Sequence, residues 1–273
     1  MNPVFANSAW ITVPERLVLR RGRWAPCRLA VRYGIFVHPV EGPVLIDTGY
    51  GPEISAGKRS LALRGYAAVL RAEMVPDSAP ERVLHRLGFR TEDVRLIVLS
   101  HFHADHVATL CRFPKARVLA RRDVFERIRA CSPARNLRHG IFTELLPPDL
   151  AGRLIDVQAR PVVHAGPPLD EGRDLLGDGS LLAIDLPGHA DGHFGLCFPK
   201  LPTPLLYAVD AQWLLRAAFE QRVPGFPASL VAEKPGQLAH SARLLTAFRD
   251  AGGHVMLCHD PDPAPFDLRE PSA

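Results

Sequence analysis

An α+β chain is what the sequence predicts, with two β-sheets sandwiched between helices. Three observations point there. β-rich and helix-rich stretches alternate twice along the 273 residues, which suggests two similar halves. The apolar runs are short, and several are followed at once by a polar residue, as at Ile46-Asp47, Leu99-Ser100 and Val209-Asp210. No fixed-period repeat or low-complexity tract is present.

Each element has a local reason. Residues 27–40 alternate and then run apolar, Glu41-Gly42-Pro43 is a turn signal, and Val44-Leu45-Ile46 is a short buried strand, so the pair reads as a hairpin. Residues 55–76 are rich in Ala, Leu and Arg and read as helix. Residues 80–87 have helical spacing, with Val83, Leu84 and Leu87 on one face and Gly88 as the cap. Residues 94–99 form a continuous apolar strand, and a helix is expected over 105–111. Residues 117–120 are a strand, and Asp123 can cap a helix over 124–130. The stretch 132–155 carries Pro133, Gly140, Pro147 and Pro148 and reads as an irregular insert over a site. Strands are expected at 154–157, 161–164, 181–186, 193–198 and 205–209, with a turn at Gly177-Asp178-Gly179. A helix over 236–250 turns Leu238, Leu244, Leu245 and Phe248 inward, a last strand covers 254–258, and the Pro-rich residues 261–271 read as a surface tail. Residues 1–273 are read as one domain.

Hydrophobic content of 47% and a mean hydropathy of +0.01 fit a soluble globular protein. No apolar run approaches the roughly 18 to 20 residues that span a bilayer. Residues 1–13 lack a basic segment followed by an apolar one, so no secretory leader is expected. Five cysteines, odd in number and far apart, argue against a disulfide framework and for a reducing cytoplasm. The net charge of +4 is mild; the arginines of 112–138 are broken by Asp123 and Glu126 and read as a solvated helix face, not a nucleic-acid surface.

The densest chemistry lies in Ser100-His101-Phe102-His103-Ala104-Asp105-His106. On a strand His106 would point away from 101, 103 and 105; on a helix His103 would lie across the axis. The four side chains converge only if a strand ends near Ser100 and the chain turns through a loop. Such a cluster points to metal. Other polar residues stand just past apolar strands: His189 in Pro187-Gly188-His189, then Asp210, then His259. Each is unremarkable alone, since a carboxylate after a strand is commonly a cap. The ordered series is the stronger observation.

These residues carry a resemblance. Ser-His-Phe-His-Ala-Asp-His matches the HxHxDH signature of the metallo-β-lactamase superfamily, and Asp47-Thr48-Gly49, Pro-Gly-His189, Asp210 and His259 follow its motif order over about residues 30–262. The resemblance implies a four-layer αβ/βα sandwich, two mixed sheets flanked by helices, with a dinuclear metal site on one edge. It implies that His101, His103 and His189 hold one divalent ion, that Asp105, His106 and His259 hold the other, and that Asp210 bridges them. Asp47 would stand behind the ligands and fix an imidazole tautomer, and His193 would be structural or stand beside it. Donors of this N/O type suit Zn²⁺, and also Mn²⁺, Co²⁺ or Fe²⁺. A metal-bridging hydroxide would be the nucleophile, with Asp210 fixing the pair and Asp105 orienting the hydroxide or passing its proton on. Cys258 reads as core, because neighbours on a strand face opposite ways, and Cys111 reads as packed.

Residues 81–123 and the ending Leu257-Cys258-His259-Asp260 look most like N-acyl homoserine lactonases. That implies a lactone or related ester as substrate and makes a homodimer plausible. A glyoxalase II-like thioesterase would want a basic C-terminal domain, for which 235–273 is short; a metal-binding accessory or sensing protein is the non-enzyme alternative. One departure bears on substrate. Those lactonases carry a tyrosine three residues after the bridging aspartate, where this chain has Trp213. An indole donates one hydrogen bond but is no phenolic acid, so Trp213 is read either as packing or as a substrate wall. Phe142, with Leu145 and Leu146, would shape an apolar pocket.

Overall fold

Burial of single strands decides the layering. In the computed structural model, which describes residues 2–226 and 234–268, the apolar runs seen in the sequence fall at the centres of two sheets. The elements in chain order are β1 (Val4–Pro14), α1 (Glu15–Val18), β2 (Pro26–His38), β3 (Gly42–Ile46), α2 (Leu61–Leu70), β4 (Glu73–Met74), α3 (Pro80–Arg86), β5 (Leu96–Val98), α4 (Ala104–Val107), β6 (Arg117–Ala120), α5 (Arg122–Ala130), α6 (Pro133–Arg138), α7 (Leu150–Arg153), β7 (Leu154–Asp156), β8 (Val162–Gly166), β9 (Asp170–Asp174), β10 (Leu182–Asp185), β11 (Phe194–Phe198), β12 (Leu205–Tyr207), α8 (Leu215–Phe219), α9 (Pro235–Asp250) and β13 (His254–Met256).

The first sheet has the order β4-β1-β2-β3-β5-β6-β7, and the second β13-β12-β11-β10-β9-β8. From β3 to β7 the first sheet is parallel. Parallel strands are covered on both faces, which is why Leu96-Ile97-Val98 is apolar without alternation. The sheets pack face to face: the rings of Phe5 and Tyr207 lie 4.5 Å apart, and those of Phe36 and Phe198 5.3 Å apart. Leu245 and Phe248 of α9 cover the other face of the second sheet against Leu182 and Ile184. Val83 and Leu84 of α3 and Phe125 of α5 join the core of the first sheet. The result is the αβ/βα sandwich. Among the described residues no helix is long and apolar enough to cross a membrane.

Two parallel pairings fix where chemistry can gather. β3 runs parallel to β5, and β12 to β13. Residues that follow parallel neighbours leave on the same edge, so Asp47 emerges beside Ser100 and Asp210 beside His259.

Several local expectations are corrected. β1 is a strand that the sequence pattern hides, because polar Asn7 and Ser8 interrupt it. They sit at a bulge and bond the backbone of Val31 through Asn7 Oδ1 and Ser8 Oγ, each at 2.8 Å. The helix expected over 55–76 is cut to α2: Ser60 caps it, Arg71 adopts a left-handed conformation at its end, and Glu73–Met74 pairs with β1 instead. The helix expected over 105–111 is one turn of α4 and a separate 3-10 turn at Leu110–Arg112, which leaves Cys111 exposed instead of packed. Asp123 is not the cap of α5 but lies in its first turn, paired with Arg121 and Arg127. The stretch 132–155, expected to be irregular, contains α6 and α7. Polar β9 pairs with β8 and has no apolar signal to reveal it.

The Pro-rich tail is also held down as far as residue 268; residues 269–271 lie outside the described residues. Arg32, 4% exposed, donates through Nε and Nη2 to both carboxylate oxygens of Asp267 at 2.8 Å. It also donates to the carbonyls of Leu257, Asp260 and Asp262. One buried guanidinium thus ties β2 to the segment after β13. Arg32→Ala would strand a carboxylate and three carbonyls, and is expected to cost about 3 to 5 kcal/mol. Urea unfolding measures this; a loss below about 1 kcal/mol, the scale of an exposed pair, would show that the tail is held by other contacts.

Candidate metal centre

The loop after β5 has the shape that the cluster requires. Extended backbone runs to His103, which precedes α4, and Asp105 and His106 lie on its single turn. Asp47, fully buried at the end of β3, holds this loop in place. It accepts from Ser100 N and Ser100 Oγ at 2.8 Å and from His106 Nδ1 at 2.9 Å. Ser100 Oγ in turn accepts from His101 Nδ1 at 3.0 Å. Asp47 and Ser100 therefore accept from the Nδ1–H groups of two imidazoles, which turns His106 Nε2 and His101 Nε2 towards the site. Thr48 adds a second clasp: its N and Oγ1 both donate to His106 O at 2.9 Å. Gly49, at φ +70°, lets the chain pass Ser8, where a Cβ would come within 2.7 Å of Oγ.

The second half of the chain brings the remaining groups. Gly188, at φ +129°, packs on α9 so tightly that a Cβ would fall 2.6 Å from Leu238 N, and this aims His189 inward. His189 Nε2 lies 3.0 Å from His103 Nδ1 and 3.2 Å from Asp210 Oδ2. His259 donates from Nδ1 to Ala30 O at 2.7 Å, and its Nε2 lies 3.2 Å from Asp210 Oδ2 and 3.5 Å from Asp105 Oδ2. His193 donates from Nδ1 to Leu186 O and accepts from Asp210 N through Nε2. Both of its nitrogens are engaged, so it positions Asp210 and offers no free lone pair.

Two groups of donors result, His101-His103-His189-Asp210 and His106-Asp210-Cys258-His259, and within each the ligand atoms lie within 4.8 Å of one another. Asp210 is common to both. Asp105 borders the second, with Oδ2 3.8 Å from His106 Nε2. The Cys258 thiol lies within that group's radius but donates to Arg32 O at 3.3 Å. Strand alternation is not what turns Cys258 from the site, because β13 ends at Met256 and both Cys258 and His259 lie beyond it. What keeps the sulfur packed is its contact with β2.

Electrostatics separates the imidazoles. Burial, then neighbouring imidazoles, holds His101 and His103 well below the usual histidine range. Burial, with His189 beside it, pushes His193 down to about 3. At His106 burial also opposes a proton, but Asp105, Asp210 and Asp47 outweigh it and hold the group well above its usual range. His259 is raised in the same way, mainly by Asp210. Burial disfavours charge on Asp210, yet His259, His106 and His189 hold it well below the usual carboxylate range. A field that favours positive charge here favours a cation in the same place.

The donor set fits metal on a further ground. His101 Nε2, His103 Nε2, His106 Nε2 and Asp210 Oδ1 are buried without a hydrogen-bond partner among the described residues. Buried polar atoms are ordinarily paired, and four orphans converging on one place call for a ligand. This geometry agrees with sequence comparison. The profile of the metallo-beta-lactamase superfamily matches residues 31–202. The chain belongs to that superfamily. It is 30% identical over 260 residues to the N-acyl homoserine lactonase AttM of Azorhizobium caulinodans, covering 94% of this chain and 92% of the relative. An N-acyl homoserine lactonase of Bacillus cereus is 27% identical, covering 70% of this chain and 68% of the relative. Among solved structures, an N-acyl homoserine lactone hydrolase with N-hexanoyl-L-homoserine at its catalytic metal centre superposes with a TM-score of 0.68 at 19% identity, covering 95% of this chain and 93% of the other. AidC, a dizinc quorum-quenching lactonase, gives 0.63 at 18%, covering 94% and 86%. These likenesses show the shared fold. As a member of the superfamily, the chain is a metallo-hydrolase.

The two aromatic residues named from the sequence take different places. Trp213 is half-buried, its ring 6.2 Å from that of His189. Phe142 is only 5% exposed and packs on the partly buried ring of Tyr66, ring centroids 5.1 Å apart. The sequence does not mark Tyr66, Ser100 or Gln212: an aromatic on a helix, a serine beside a histidine and a lone glutamine carry no spacing signal. Asp47→Ala removes the acceptor that sets the His106 tautomer and is expected to weaken metal binding by about 10- to 100-fold. Competition against a chromophoric chelator reads this directly; unchanged affinity would show that Ser100 alone orders the loop.

Proposed function

We propose that this metallo-hydrolase is a dinuclear lactonase that opens a lactone or cleaves a related ester, with N-acyl homoserine lactones as the substrate class. The observation that carries the dinuclear reading is the set of unpartnered buried donor atoms arranged in two groups that share Asp210. The substrate class is supported by the relatives named N-acyl homoserine lactonase.

In this reading His101, His103 and His189 would hold one cation and Asp105, His106 and His259 a second, with Asp210 common to both groups of donors. Imidazole and carboxylate without engaged thiolate suit Zn²⁺ first. When bound, a pair of such cations supplies a water of lowered pKa, about 7, as nucleophile and a Lewis acid for the attacked carbonyl. The chain's own groups do the rest. Asp47 and Ser100 hold His106 and His101 by Nδ1, with Nε2 towards the site. His193 fixes the backbone of Asp210. The side chain of Asp105 is 9% exposed against 2% for Asp210, so Asp105 Oδ2 stands nearer the rim, where it can take a proton from the attacking water and return it to the leaving alkoxide. Trp213 walls the His189 side.

The double variant His103→Ala with Asp210→Ala removes one donor of the first group and the shared carboxylate. Bound metal is expected to fall from about two ions per chain towards none, and lactone turnover by at least about a thousandfold. Metal content and hydrolysis are measured on the same sample across lactones, esters, thioesters and phosphodiesters. A fully loaded double variant, or turnover that survives a chelator, would sink the proposal.

A further inference from the structure

A surface helix ordinarily turns charged and polar side chains outward; α2 does not. Leu61, Arg64, Gly65, Ala68 and Val69 recur at helical spacing, and all five are exposed. Leu61 and Val69 are 82% and 81% exposed. The outer stripe is therefore apolar or small but for one arginine. The inner face is occupied: Leu63 is buried, and the Tyr66 ring lies 5.1 Å from that of Phe142. The charges of the segment are all of one sign. No Asp or Glu lies between Glu53 and Glu73, whereas that span holds Lys58, Arg59, Arg64 and Arg71. None of the four forms an ion pair among the described residues. Lys58 and Arg59 precede the capping Ser60, and Arg71 ends the helix, so cations stand at both ends of the apolar stripe.

We propose that α2 is a docking surface for a lipid bilayer with anionic headgroups, lying flat on it with Leu61, Ala68 and Val69 at the headgroup boundary and the four cations on the phosphates. Charge complementarity selects this occupant. Exposed apolar side chains enter the boundary between headgroups and acyl chains, and long cationic side chains reach back to the phosphates. A second copy of the chain would set the same cations against one another across a two-fold contact. Nucleic acid would take the cations but leave Leu61 and Val69 in water. The contact is peripheral, with α2 in the plane of the surface. Position gives it a consequence. Ser60 N donates to Glu144 Oε2 at 3.1 Å, and Gly140 O accepts from Ala104 N at 3.3 Å, so residues 140–144 join α2 to the loop of metal donors. Docking through α2 sets that loop close to the lipid surface.

The test sediments the metal-loaded full chain with phosphatidylcholine vesicles that contain or lack phosphatidylglycerol. Binding to the phosphatidylglycerol vesicles is expected to be at least about tenfold tighter, and to weaken as salt rises. Gly65→Glu sets an anion in the middle of the stripe, where an added Cβ meets nothing within 4 Å. It is expected to weaken vesicle binding about fivefold or more, and Lys58→Ala with Arg64→Ala about twentyfold. Should Gly65→Glu fail to fold, Leu61→Ser with Val69→Ser is read by the same affinity, with a fall of about fivefold or more expected. Helix content and metal loading equal to those of the parent chain place the loss at the surface. A parent chain that does not sediment with the anionic vesicles, or folded variants that bind as tightly as the parent, would overturn the docking surface. So would a dimer in sedimentation velocity that Gly65→Glu dissociates, since the face would then join two copies. No arm reads turnover, so the lactonase reading stands or falls separately.

Discussion

The carboxylate of Asp47 is the constraint on which the site depends. It sits in a dry interior where an unpaired charge would be strongly disfavoured, and its stability comes from the three donors that the loop after β5 supplies. Those same bonds dictate the loop's path and the proton positions on two imidazoles. Stabilising the charge and preparing the site are thus one arrangement. Thr48 extends it by clasping the backbone of His106, and Thr109 returns a bond to Thr48 O at 2.8 Å.

Strain gathers where the chain must turn sharply to bring a carboxylate in. Asp47 has φ 56° and Val209 has φ 51°. Aspartate tolerates the left-handed region, but a β-branched residue there is an outlier, of the kind that persists only where surrounding contacts enforce it. The contacts are visible: Cys258 N donates to Val209 O at 2.9 Å, and Asp210 N donates to His193. The two strained residues end one strand of each sheet, so each half of the sandwich contributes one forced turn and one carboxylate. Between them environment separates His106 and His259, which Asp210 and its neighbours push towards positive charge, from His101 and His103, which burial and adjacent imidazoles push the other way.

Legibility in the sequence follows from how local each signal is. The strand over residues 94–99 and the loop after it are readable because an apolar run and three histidines lie within a dozen residues. β1 is not, since Asn7 and Ser8 bond across to Val31 and break the alternation that marks a strand. β9 is not, since Asp170–Asp174 has no apolar face. The helix expected over 55–76 shows composition without the stop that Arg71 imposes. At the site, His189, Asp210 and His259 are suggested by their place after strands, whereas Ser100 has a role that exists only through Asp47, a partner far away in the chain.

By itself the sequence determined the donor types, their order and their placement after apolar strands, because strand formation and turn chemistry are local properties of a few residues. Only the tertiary structure decided which donors share a space. The parallel pairings of β3 with β5 and of β12 with β13 send the chain out on a common edge, and packing of the two sheets closes the distance between halves that lie about a hundred residues apart. It also decided that Cys258 bonds to Arg32, that His193 holds Asp210 and that Gln212 Oε1 has no hydrogen-bond partner among the described residues, since burial and hydrogen-bond partners at long sequence separation cannot be read from spacing.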